Sequence, residues 1–191
     1  MPASLKCGRW SKQVVTRGRR EALILGGAGI AAAAAGFLAG PALLRLGAGG
    51  EGEILRMASF PDLDGRVRRL SEWQGKILVC NFWATWCAPC REEIPLLVAA
   101  RQKYVPSGVE IVGIAIDNAA KVLEFSASFK ISYPILLADA SGLDLMRKLG
   151  NDTGGLPYTV VADRAGTLVR RKLGALKEGE LAAILEPLAG T

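Results

Sequence analysis

Residues 77–83 run Ile77-Leu78-Val79-Cys80-Asn81-Phe82-Trp83, an apolar stretch broken only by Asn81, and Cys87-Ala88-Pro89-Cys90 follows four residues on. A continuous apolar run of this length reads as a strand buried on both faces, so it must lie inside a layered fold. Pro89 to Tyr104 reads as a helix, with Arg91, Glu92 and Glu93 in its first turns and Pro95 expected to kink it. Cys87 therefore stands where a strand gives way to a helix. Two thiols at this spacing can reach disulfide distance without moving the backbone, and helix amides pointing outward stabilise a thiolate on the first. Such a setting lowers a thiol pKa from about 8.5 to between about 3.5 and 7.5, making Cys87 a nucleophile at neutral pH.

Composition narrows the chemistry. The 191 residues suffice for one globular domain plus an appendage, and four cysteines are too few to staple a fold that lacks a core. There is no histidine, which removes Ser-His and Cys-His nucleophile pairs, His-ligated metals and imidazole acid–base chemistry. The net charge of +6 comes from Lys6, Arg9, Lys12, Arg17, Arg19 and Arg20, and the remainder is formally neutral. A basic leader, not a basic fold, produces the excess, which argues against nucleic-acid binding.

No charged residue occurs from Ala22 to Leu44, a run of 23 that would span about 35 Å as a helix, enough for a bilayer core of about 30 Å. The expected organisation is a basic cytoplasmic leader over 1–21, a transmembrane signal anchor or signal sequence over 22–46, a linker over 47–53 and a folded domain over 54–191. Basic residues ahead of the run place the domain outside the cytoplasm under the positive-inside rule. A cleaved secretory leader is the competing reading, although a convincing small-x-small cleavage site is missing.

Along the body, Leu55 to Phe60 and Val67 to Leu70 flank the turn signal Pro61 to Arg66 and read as a hairpin, and Ser71 to Trp73 as a helical turn. Val109 to Ile116 reads as a second buried strand, Lys121 to Lys130 as a helix, Tyr133 to Leu137 as a strand and Leu143 to Leu149 as a helix. Tyr158 to Ala162 and Leu168 to Leu173 are strands joined by the turn Asp163 to Gly166, and Glu178 to Leu188 closes with an amphipathic helix. This order implies a mixed α/β sheet with helices on both faces.

Gly75-Lys76, Asn81 to Cys87, Pro89-Cys90, Glu93, Pro95, Val112-Gly113-Ile114, Gly155-Leu156-Pro157 and Asp163 to Gly166 together resemble the thioredoxin superfamily, and within it the membrane-tethered TlpA/ResA-like thiol–disulfide oxidoreductases. The resemblance covers roughly Leu55 to Leu188. It implies a thioredoxin-like fold with an N-terminal hairpin and a central strand–helix insertion between Val109 and Lys130. It also implies a cis peptide before Pro157, with Leu156 and Pro157 lying against the dithiol and the Leu156 backbone pairing with an extended substrate. Thioredoxins proper carry aspartate where this chain has Asn81, which cannot accept a proton from the resolving thiol. Glu93 matches an acidic residue near the dithiol of TlpA/ResA-like proteins and can serve as that base; the alternative is a glutamate that merely favours the helix dipole. Trp86 and Pro157 are expected to shape the docking surface, with Trp83 either joining them or packing.

The implied activity is protein-disulfide reduction without a cofactor. Cys87 would attack a disulfide of an exported protein, such as apocytochrome c or an oxidase copper subunit, Cys90 would resolve the intermediate, and a membrane electron donor would restore the dithiol. Other readings fit less well. Zinc lacks a second cysteine pair, and covalent haem attachment needs histidine where Arg91 stands. Peroxiredoxins place threonine and proline where this chain has Ala84 and Cys80. A Cu(I)-handling assembly chaperone would use the dithiol as soft ligands, yet only Met57 and Met146 lie in the body. A purely structural disulfide and a general oxidase or isomerase complete the alternatives.

Overall fold

The computed structural model describes residues 50–190. The expected leader and membrane-spanning run fall outside them, and among the described residues no helix is long and apolar enough to cross a membrane. The sheet has five strands: β3 (Ile77–Trp83), β4 (Val109–Ile116), β5 (Ile135–Ala138), β6 (Tyr158–Ala162) and β7 (Leu168–Leu173), in the order β5-β4-β3-β6-β7. β4 lies parallel to both β3 and β5, while β6 is antiparallel to β3 and β7.

All seven residues of β3 are buried, and alternation sorts them between two cores. Ile77, Val79 and Trp83 face a cluster completed by Ile94 and Leu97 of α2 (Ala88–Tyr104), Val122 of α3 (Ala119–Ser128) and Leu181 and Leu185 of α5 (Glu178–Ala189). Leu78, Cys80 and Phe82 face a second cluster with Leu55 of α1 (Gly50–Met57) and Leu145 and Met146 of α4 (Ala140–Lys148). The layered α/β arrangement expected above is present. Asn81 lies on the α2 side of the sheet, which matters for the site. Cys80 lies on the other side, and burial pushes its thiol far above the ordinary range, so it is an inert core residue.

The N-terminal stretch differs from expectation. The chain is helical from Gly50 to Met57, so residues 50–53 of the expected linker are helix and the strand expected from Leu55 begins at Ser59. Glu51 and Glu53 in the first turn and Arg56 in the last suit the helix dipole, and Glu53 pairs with Arg56 at 2.9 Å. Gly52 is a close-approach residue, because a Cβ there would lie 2.1 Å from the Gly166 carbonyl oxygen in the β6–β7 turn. The hairpin survives in shortened form: β1 (Ser59–Pro61) pairs antiparallel with β2 (Val67–Arg69). α2 continues across Pro95 as a single helix. α3 and α4 start earlier than expected because Asn118 and Asp139 cap them, accepting from the amides of Ala120 and Ser141 at 2.9 Å.

Candidate active site

Cys87 ends the β3–α2 loop as the N-cap of α2, and its Sγ accepts the Cys90 amide at 3.3 Å. The two sulfurs are joined in a disulfide, with Cα atoms 5.3 Å apart. Cys90 is fully buried, whereas Cys87 retains 5% exposure. That difference decides which sulfur a partner can touch. Around Cys87 the rim is apolar: Ala88 and Pro89 are exposed and Trp86 is 68% exposed. Trp83 is fully buried, which makes it a packing residue and removes it from the docking surface. The loop is held from the side, since the Thr85 amide (3.1 Å) and hydroxyl both donate to Asp117 at the end of β4.

The Leu156–Pro157 peptide is cis. Leu156 is partly buried and packs against the cluster that contains both cysteines. The preceding loop is pinned by Asn151 Nδ2 donating to the Gly155 carbonyl at 2.8 Å, and the Gly174 amide donates to the Pro157 carbonyl at 2.8 Å. Immediately after it, the buried Tyr158 hydroxyl donates to the Leu149 carbonyl at 2.6 Å. That oxygen also accepts from Arg171 Nε at 3.0 Å, so it stays paired when the tyrosine bond is removed. Tyr158→Phe is expected to cost about 1 kcal/mol, read as a lower urea midpoint at unchanged m-value.

Glu93 lies one turn beyond Cys90 on α2, a spacing that puts Cβ atoms about 5–6 Å apart. It is 2% exposed and held at both oxygens. Asn81 Nδ2 donates to Oε1 at 2.7 Å and the Leu176 amide donates to Oε2 at 2.6 Å. Asn81 Nδ2 also donates to Thr159 Oγ1 at 2.9 Å, across the β3–β6 register that sets Asn81 opposite Thr159. Burial pushes the Glu93 carboxyl above its ordinary value, with the Leu176 and Asn81 bonds opposing the rise. The expected proton acceptor is thus a buried, oriented carboxyl close to the resolving cysteine. Asn81, read above as the absence of a base, instead holds the carboxyl of Glu93, which another element supplies. Its signal in the sequence was a lone amide in a strand buried on both faces, which must find a partner.

Residues 51–185 match the Redoxin family. The chain is 38% identical over 138 residues to the thiol:disulfide interchange protein HelX of Rhodobacter capsulatus, covering 70% of this chain and 69% of that protein. It is 30% identical over 128 residues to the thiol-disulfide oxidoreductase ResA of Geobacillus thermodenitrificans, covering 66% and 71%. The crystal structure of a thioredoxin-family thiol:disulfide interchange protein from Chlorobium tepidum matches at a TM-score of 0.61 and 29% identity, over 70% of this chain and 93% of that one.

Proposed function

We propose that this chain, which belongs to the Redoxin family, reduces disulfides of exported proteins through Cys87 and Cys90. It is a thiol–disulfide oxidoreductase, as its relatives are named. In the reduced form, the Cys87 thiolate attacks one sulfur of the substrate disulfide, forming a mixed disulfide and expelling the other sulfur as a thiolate. Cys90 loses its proton to Glu93 and attacks Cys87, releasing the second substrate thiolate. Two electrons pass to the substrate, its two sulfurs take up two protons, and the enzyme closes its own disulfide. The observation that carries this reading is the asymmetry of the pair: one sulfur reachable at a helix N-cap, the other sealed beneath it with a buried carboxyl one turn away.

In this reading the exposed Trp86 and the partly buried Leu156 form the docking surface, with the Leu156 backbone meeting an extended substrate segment, whereas Pro157, expected to join them, is buried and lies outside it. The basic leader and the charge-free run from Ala22 to Leu44 support a domain tethered to the membrane on its extracytoplasmic side. Cytochrome c maturation and oxidase assembly are the settings that the TlpA/ResA-like resemblance favours, with a membrane donor returning the electrons. Cu(I) handling and peroxide reduction are disfavoured by relatives that carry thiol–disulfide names. The test is capture of partners by the full chain bearing Cys90→Ser. Mixed disulfides on Cys87 with exported proteins are expected to accumulate, and failure to capture any disulfide-bearing protein would count against the reading.

A further inference from the structure

We propose that Arg91 is a specificity-determining residue, which receives a carboxylate side chain flanking the disulfide of the protein being reduced. This rests on the reading of Cys87 and Cys90 as a protein-disulfide reductant. Arg91 follows Cys90 directly, and its amide donates to the Cys87 carbonyl at 3.2 Å, so the two residues are one helical turn apart. Its guanidinium lies over two rings, 5.9 Å from the centroid of Phe125 and 5.8 Å from that of Phe129. Those rings are themselves stacked at 4.1 Å, and Phe125 packs on Trp83 at 5.3 Å. The shelf under Arg91 is therefore continuous with the cluster that contains both cysteines.

The arginine is oriented but unpaired. Arg56, Arg66, Arg68, Arg101, Arg147 and Arg171 each bond to a carboxylate. Among the described residues, no carboxylate or other acceptor bonds to the Arg91 guanidinium, which contacts the two rings. Glu92 beside it and Glu124 on α3 are both exposed, and neither forms an ion pair with it. A planar guanidinium laid on aromatic faces keeps its donor edge free for bidentate recognition of a carboxylate. Reach sets where that carboxylate must be. An extended chain advances about 3.3–3.6 Å per residue, and residues one turn apart on a helix are about 5–6 Å apart at Cβ. An Asp or Glu one or two residues from the attacked cysteine therefore falls beside Arg91 while the cysteine meets Cys87.

The test uses the full chain, reduced and freed of reductant, in single-turnover reactions with three disulfide-bonded peptides. They differ only in carrying Asp, Asn or Lys at the flanking position. The expected order is Asp, Asn, Lys, with about a tenfold span at low salt that shrinks near 1 M salt, where screening reaches about 3 Å. Arg91→Gln is expected to bring the ratio close to one, and Arg91→Glu to invert it. A change in Cys87 thiolate pKa caused by these substitutions scales all three peptides together, so the ratio reports recognition alone. Equal rates for the three peptides with the native chain, or an unchanged ratio in Arg91→Glu, would overturn the assignment. Reduction of none of the peptides would instead overturn the activity on which it rests.

Discussion

Cys87→Ser is expected to abolish disulfide exchange, with a loss on the order of 10³-fold or more, whereas Cys90→Ser retains the first bond exchange and stalls there. The asymmetry follows from access. Cys80 and Cys90 are sealed in the core, so without Cys87 the described residues present no thiol to a substrate. Cys87 at the N-cap, with the Cys90 amide aimed at its sulfur, is the position where helix amides stabilise a thiolate. In the reduced protein, alkylation of Cys87 is accordingly expected to titrate below about 8.5, the value for a free cysteine. A titration at that value, or residual exchange in Cys87→Ser, would contradict this assignment of the nucleophile.

Glu93→Ala is expected to lower stability by about 2–4 kcal/mol, because it leaves the buried Leu176 amide and one Asn81 donor without an acceptor. Glu93→Gln keeps the shape but turns a donor toward one of those donors, so a smaller loss is expected. The pH dependence has a definite sign. Burial raises the folded-state pKa of Glu93 above the ordinary 4.5, so the folded chain holds this proton more tightly than the unfolded chain. Its contribution to stability is then fully present below the unfolded value. It declines as pH rises through the folded value and is constant above it. Urea midpoints of the oxidised protein across pH should show that decline in the native chain and lose it in Glu93→Gln. In exchange kinetics the same substitution should slow resolution by Cys90 more than attack by Cys87, measured as a longer-lived mixed disulfide. Equal slowing of both steps would make Glu93 a structural residue only.

The strands were legible because β-branched and apolar residues dominate them or turn signals bound them: Ile77–Trp83, Val109–Ile116, Tyr158–Ala162 and the more polar Leu168–Leu173 all begin and end where the patterning placed them. Helix starts were less legible, since capping by Asn118 and Asp139 is a local hydrogen-bond choice that apolar periodicity does not record. α1 was hidden by its glycines. They suggested freedom, yet Gly52 is required by contact with a turn more than a hundred residues later. At the site, the cysteine pair could be read from spacing, and the cis bond before Pro157 from family resemblance. The environment of Glu93 could not be read that way. Thr159 and Leu176 reach it from other elements, 78 residues beyond Asn81 and 83 beyond Glu93, and only the folded sheet brings them together.

The Gly52–Gly166 contact fixes where the polypeptide enters the domain. Gly166 belongs to the turn after Ala162, which pairs with Leu78 near the start of β3, whereas the cysteines follow Trp83 at its end. Five strand residues separate the two levels, about 17 Å. The reactive sulfur therefore lies at the opposite end of β3 from the place where the chain enters the domain, like a tool held at the far end from its handle. In the membrane-tethered arrangement proposed above, lengthening or shortening the chain before residue 50 would change how far the sulfur can travel and leave its chemistry as it is.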